Sequence, residues 1–146
     1  MKFMQKNDDY IIIVGCGRLG ANLANTLSDD NGNVLIMDTT KDSFRRLSSD
    51  FGGLSLVGSG TDLNALRNAE IEKADAVIAV TNDDNTNIMI VQLAREMFHV
   101  SRVIARLYDP DRESVYQELG IDTICPAILS AKEVGNLLEH CGKEEK

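Results

Sequence analysis

No apolar run in the 146 residues approaches the roughly 20 needed to cross a bilayer, so direct membrane insertion is not expected. A secretory signal is missing too, because Met1 to Asp9 is polar and has no apolar centre. That stretch reads as a short flexible leader, and a cytoplasmic setting is expected. Basic residues are outnumbered, 15 Lys and Arg against 23 Asp and Glu, for a formal charge of −8. They are also scattered, which argues against a nucleic-acid surface, since phosphate binding needs clustered cations. Cysteines are few. Cys16, Cys125 and Cys141 have neither the short paired spacing of zinc and redox sites nor the even number of a disulfide framework, so reduced thiols are expected.

The length suits one domain with a real core and leaves no room for a separate substrate-binding domain. The organising stretch is Tyr10 to Asp38. Tyr10-Ile11-Ile12-Ile13-Val14 is a continuous apolar run, as expected for a strand buried on both faces of a parallel sheet. It leads directly into Gly15-Cys16-Gly17-Arg18-Leu19-Gly20, a G-x-G-x-x-G turn. Gly15 permits the tight bend, Gly17 leaves room for a pyrophosphate, and Gly20 lets the next helix pack closely. That helix, about Leu19 to Ser28, aims its amides and dipole at the same spot. The chain turns through Asp29-Asp30-Asn31-Gly32 into a second strand, Asn33 to Met37, ending on Asp38. An acid at this offset accepts ribose hydroxyls and repels a 2′-phosphate, favouring NAD or another adenosine ligand over NADP. Thr39 follows it at the same rim. Cys16 sits where a thiol can feel the helix N-terminus, although any small residue would fit the slot.

Lys41 to Asp50 carries Phe44 and Leu47 among polar residues and predicts a short amphipathic helix. A third strand, Leu54 to Val57, leads to a second glycine-rich loop, Gly58-Ser59-Gly60-Thr61-Asp62, in which Asp62 caps a helix over Leu63 to Ala69. The fourth strand spans Ala74 to Val80. Its end is polar, Thr81-Asn82-Asp83-Asp84-Asn85-Thr86-Asn87, and suits both a helix cap and a ligand rim. The next helix should turn Ile88, Val91, Leu93, Ala94 and Met97 inward. Arg102 to Leu107 is the fifth strand. Within it Arg106 either pairs with an acid or reaches a phosphate. A helix from Arg112 to Leu119, closed by Gly120, precedes a sixth strand, Asp122 to Cys125. The final helix, about Ala127 to His140, has a wide stripe of Ile128, Leu129, Ala131, Val134, Leu137 and Leu138. Such a stripe needs a partner surface, either another subunit or the protein's own sheet.

Six strands alternating with helices predict an α/β fold, a doubly wound parallel six-stranded Rossmann sheet in the order 3-2-1-4-5-6. Ligands then bind beyond the carboxyl ends of the strands, where the order reverses. The loops at Gly15 to Gly20, Asp38, Gly58 to Asp62 and Thr81 to Asn87 all converge there.

The ordered set Gly15-x-Gly17-Arg18-x-Gly20, Asp38, Gly58-x-x-Thr61-Asp62, Thr81-x-x-Asp84-x-x-Asn87, Ala105-Arg106, Leu119-Gly120 and Pro126 resembles the KTN or RCK family, the nucleotide-binding domains of Trk and Ktr potassium-transport regulators. The resemblance implies that NAD(H), ATP or ADP binds in the crevice. It also implies a homodimer or higher ring on the cytoplasmic side of a membrane potassium channel or transporter, gated by nucleotide exchange. Residue by residue, it places phosphates on the glycine turn with help from Arg18, ribose on Asp38, and Thr81 and Asp84 at the rim. It makes the helix after Pro126 a crossover helix that packs on a neighbour. Residues 10–126 would then be the nucleotide-binding domain and 127–146 the crossover helix and tail. One departure is Ser59, where the family often has an acid after the first glycine. Effectors bound by the C-terminal domain of many full regulators lie outside the resemblance.

The resulting expectation is a regulatory module and not an enzyme. A small NAD-dependent oxidoreductase would need a proton donor near the nicotinamide, yet Tyr108 and Tyr116 lack a Lys four residues on, His99 falls in a loop away from the crevice, and His140 is near the C-terminus. A passive oligomerisation scaffold would leave Asp38 unexplained.

Overall fold

A computed structural model describes residues 9–30 and 32–144, with side chains as far as His140. The leader before Asp9, Asn31 of the first turn and the thiol of Cys141 lie outside the described residues. The strands are β1 (Tyr10–Val14), β2 (Asn33–Asp38), β3 (Leu54–Val57), β4 (Ala76–Ala79), β5 (Arg102–Arg106) and β6 (Asp122–Ile124). They form one parallel sheet in the order β3-β2-β1-β4-β5-β6, as the alternating pattern predicts. β1 lies at the centre, with Val14 opposite Met37 of β2 on one side and Ala79 of β4 on the other.

The central strand explains the two-sided core. Ile12 and Val14 face one apolar layer while Ile11 and Ile13 face the other, so the side chains alternate although every one is apolar. Ile12 and Ile13 are completely buried. Each such side chain contributes about 1.5–3 kcal/mol relative to exposure. Helix α1 (Arg18–Asp29) closes the second layer with Ala21, Ala24 and Leu27. On the opposite layer lie Leu66 of α2 (Leu63–Asn68) and Ile88, Ile90 and Val91 of α3 (Asp84–Gln92).

Several boundaries differ from the sequence expectation. The helix expected over Lys41 to Asp50 is a 3-10 turn, Lys41–Arg46, with Phe44 and Leu47 only half-buried against the α1 layer. β4 is shorter than Ala74 to Val80 because Asp75 serves the strand entry. Its amide donates to the Tyr10 carbonyl at 2.8 Å and its carboxylate accepts from the Tyr10 amide at 2.7 Å. After α3 the helix widens into a π turn, Leu93–Met97. The added residue per turn shifts the phase, so Ala94 and Phe98 are buried and Met97, expected inside, is 49% exposed. Arg112 lies in a 3-10 turn, Pro110–Arg112, ahead of α4 (Glu113–Glu118). β6 stops at Ile124, and the Cys125 carbonyl instead accepts from Leu129 at 3.0 Å, within the start of α5 (Pro126–Glu144).

The stripe on α5 does not pack on the sheet. Ile128 is 41% exposed and Leu138 69%, with Leu129, Val134 and Leu137 between them. No described helix is long and apolar enough to cross a membrane.

Candidate functional site

At the carboxyl ends of β1 to β4 the loops enclose a cavity of about 440 Å³. Its floor is apolar, made by Val14, Val80 and Ile90. One wall is the glycine turn, Gly15 to Gly17. Gly15 has φ +110°, and a Cβ there would lie 2.7 Å from the Val80 carbonyl oxygen, so only glycine joins the strand to the helix at this distance. A Cβ at Gly17 would meet nothing within 4 Å and would stand in open space beside the first turn of α1. Among the described residues no side chain caps that turn and no acid lies in it.

The acid wall is Asp38, with Thr39, Thr40, Ser43 and Arg46 beyond it. Half-buried Asp38 does more than face the cavity. One carboxylate oxygen accepts from the Cys16 amide at 2.8 Å and the other from the Thr40 amide at 2.8 Å. The acid therefore fixes the glycine turn to the end of β2. A carboxylate accepts about four hydrogen bonds, so roughly two positions remain for hydroxyl donors.

Gly58, Ser59 and Gly60 form the third wall. The Ser59 hydroxyl lies 2.9 Å from that of Thr61 and accepts from its amide at 3.2 Å, an internal turn in place of an acid. The fourth wall is Thr81, Asn82, Asp83 and Thr86. Asp83 caps α3: the hydroxyl of Thr86 at 2.6 Å and its amide at 2.9 Å hold the Asp83 carboxyl below the usual range. Cap and rim are thus the same residues, as the polar run allowed.

Seven of the residues singled out in the sequence do not line the cavity. Arg18 is exposed at the first position of α1, and Leu19 packs on the α1 layer. Gly20 lies beneath the turn, where a Cβ would come 1.8 Å from the Gly15 carbonyl oxygen. Thr61 closes the Ser59 turn. Asp62 caps α2, accepting from the Asn64 amide at 2.9 Å. The Asp84 carboxylate accepts from the amides of Tyr108 and Asp109 at 2.8 and 3.1 Å, tying α3 to the end of β5. Among the described residues Arg106 pairs with no acid, and it does not line the cavity. Buried under Tyr108, whose ring centroid is 4.9 Å away, its Nη2 donates to the carbonyls of Val80 and Thr81 at 2.8 and 3.0 Å. Two outward-pointing strand-end carbonyls thus hold one end of the guanidinium, while its buried Nε has no hydrogen-bond partner among the described residues.

Sequence reasoning missed Arg46, Ser43 and Thr40 as wall residues. It also did not foresee that Asn87 is completely buried and uses both ends of its amide. Asn87 Oδ1 accepts from the Thr81 amide at 2.9 Å and hydroxyl at 2.6 Å, and Nδ2 donates to the carbonyls of Thr81 at 3.1 Å and Arg106 at 2.9 Å. The polar run was the available signal, but nothing in it distinguishes the one buried member. Cys16 is buried, its thiol directed at the Ser43 carbonyl at 3.3 Å. Burial and the nearby Asp38 charge push that thiol's pKa up, against the opposing charge of Arg46, so a reactive thiolate is not what this turn provides.

A family model described as the TrkA-N domain matches residues 11–126. The chain belongs to the TrkA-N family. The Trk system potassium uptake protein TrkA of Streptomyces coelicolor is 45% identical to this TrkA-N chain over 135 residues, 92% of this chain and 60% of that protein. Among solved structures, a GsuK channel bound to NAD is 28% identical over 96% of this chain and 25% of its own, with a TM-score of 0.78. A GsuK structure bound to ADP is 29% identical over 92% of this chain and 35% of its own, with a TM-score of 0.75. The chain spans between 30% and 60% of the length of six curated relatives that it matches.

Proposed function

We propose that this TrkA-N domain is the nucleotide-sensing module of a Trk-type potassium uptake system, and that it binds NAD(H) or ADP/ATP in the cavity at the strand ends. The observation that carries the reading is the convergence of an uncapped glycine turn and the Asp38 carboxylate on one cavity. Phosphates lie on the amides of the turn, ribose hydroxyls donate to Asp38, and Ser59, Thr81 and Asp83 face the rest of the ligand. Arg18, exposed at the start of α1, remains free to meet phosphates from outside the cavity. The NAD and ADP ligands of the GsuK structures support the same ligand class here.

Regulation is favoured over catalysis because none of the described lining residues is a His, Tyr or Lys that would donate a proton beside a nicotinamide. His99 is exposed near the amino end of β5, at the opposite edge of the sheet. In this reading residues 10–126 hold the nucleotide and α5 offers its exposed stripe to a second copy of the chain. The assembly sits on the cytoplasmic side of a membrane potassium transporter or channel. Nucleotide exchange would shift its conformations, which requires that the two states differ in affinity for the ligand.

The test is calorimetric titration of the protein with NADH, NAD, ATP and ADP, repeated on Asp38→Ala, with sedimentation of each sample. At least one ligand is expected to bind. Removing the charged acceptor should weaken it roughly 10- to 100-fold, the equivalent of about 1.5–3 kcal/mol. Sedimentation should give a species larger than 16.0 kDa. Absence of binding by all four ligands would leave a scaffold with an unused cavity as the better account.

A further inference from the structure

The cavity has an imbalance that the proposed ligand must satisfy. A purine is a flat, polarisable base, and a planar side-chain group stacked on it is one of the common ways to bind it. None of the described lining residues is aromatic. Phe44, two residues before Arg46, packs on the α1 layer, and Tyr108 covers the Arg106 guanidinium. The remaining large planar side-chain group in the lining is the guanidinium of Arg46, from the 3-10 turn after β2.

Arg46 is also uncommitted. Its neighbour Arg45 is paired with Asp42 at 2.9 Å and lies outside the cavity lining, whereas Arg46 enters no ion pair among the described residues. The two adjacent arginines therefore divide, one engaged on the surface and one exposed along the cavity wall. Arg46 stands on the Asp38 side of the cavity, at the end of the 3-10 turn that follows the acid. Asp38 marks the ribose, so the base attached to that ribose lies toward the Thr39 to Arg46 wall and away from the turn that holds the phosphates.

We infer that Arg46 is the base-stacking residue of this site, an inference that rests on the nucleotide-binding reading above. A guanidinium stacks through its delocalised plane, a property a lysine ammonium does not share. The contact is with the base, so its contribution is the same whether one, two or three phosphates follow.

The experiment titrates AMP, ADP, ATP and NAD into the wild type, Arg46→Ala, Arg46→Lys and Arg45→Ala. Arg46→Ala should weaken all four ligands by a common factor of roughly 3- to 30-fold. Arg46→Lys should restore little of it, and Arg45→Ala should match the wild type. A loss that grows from AMP to ATP, or full rescue by lysine, would identify a phosphate contact and overturn the inference. Unchanged affinities in Arg46→Ala would overturn it as well. A wild type that binds none of the four would remove the nucleotide reading itself, an outcome distinct from either.

Discussion

Asn87→Leu is the substitution that tests whether the cavity's fourth wall is held from below. Leucine nearly preserves the volume, so the change is mainly the loss of four hydrogen bonds in a completely buried place. Not all four losses cost the same. The Thr81 carbonyl keeps the Arg106 guanidinium as donor at 3.0 Å, and the Thr81 hydroxyl can turn toward the Asp83 carbonyl, already 3.4 Å away. The Thr81 amide and the Arg106 carbonyl lose the side-chain partner that this site gives them. An orphaned buried backbone group costs about 1–3 kcal/mol, so two cost about 2–6 kcal/mol. Against a total stability of about 5–15 kcal/mol, that is a large fraction. The assay is urea unfolding followed by circular dichroism. With a slope of about 2 kcal/mol per molar, the midpoint should fall by roughly 1–3 M. The folded variant should also bind nucleotide more weakly, because Thr81 to Asp83 would no longer be fixed. A midpoint within about 0.3 M of the wild type, well inside measurement of a 1 kcal/mol effect, would refute the view that Asn87 braces this wall.

Two glycines of one motif should separate folding from binding. Gly20→Ala puts a methyl against the Gly15 carbonyl and should cost about 3 kcal/mol or more, read as a lost melting transition or insoluble protein. Gly17→Ala meets open space and should leave the melting temperature within a few degrees while weakening nucleotide binding; equal damage to both properties at both sites would contradict this division. Tyr10 gives a pH signature. Its hydroxyl donates to the Ala69 carbonyl at 2.6 Å, and burial, helped by Glu70, raises its pKa to about 12 from 10.0. A folded pKa above the unfolded one means a stabilisation that is complete below pH 10.0 and lost as pH rises toward about 12. Urea midpoints at pH 8 and at pH 11 (about one unit above the usual tyrosine value) should show the gap between wild type and Tyr10→Phe closing. Parallel declines would count against it.

What was legible in the sequence was whatever depends on local pattern. β1 announces a doubly covered strand through Tyr10 to Val14, and the strand, glycine turn, helix, strand and acid occur in an order that fixes both the topology and the end of the sheet where the cavity lies. Asp62 and Asp83 are caps whose role follows from their position before an apolar run. Periodicity failed where the helix stops being α-helical. The π turn at Leu93–Met97 advances the chain by an extra residue, and a 3.6-residue template then assigns Met97 to the wrong side.

Partners were the other illegible quantity, and Arg106 shows why. An arginine in an apolar strand implies a fixed partner, and charge alone suggests an acid or a phosphate. Among the described residues no acid pairs with it, and it does not line the cavity. Ending a parallel strand leaves carbonyls pointing past the sheet edge, and those of Val80 and Thr81 form an acceptor pair that one Nη2 can bridge. That acceptor pair exists only once β4 and β5 lie side by side, with Ala79 opposite Ala105, so no property of the local sequence encodes it. The same holds for Asp38. Its place in the sequence marks it as the expected ribose acceptor, but its bonds to Cys16 and Thr40 require β1 and β2 to end together. The acid that is proposed to recognise the nucleotide is therefore also the acid that shapes the glycine turn. Losing it should loosen both ends of the ligand at once, which makes the calorimetric loss in Asp38→Ala a sum of two effects and places its expected size toward the upper end of the range.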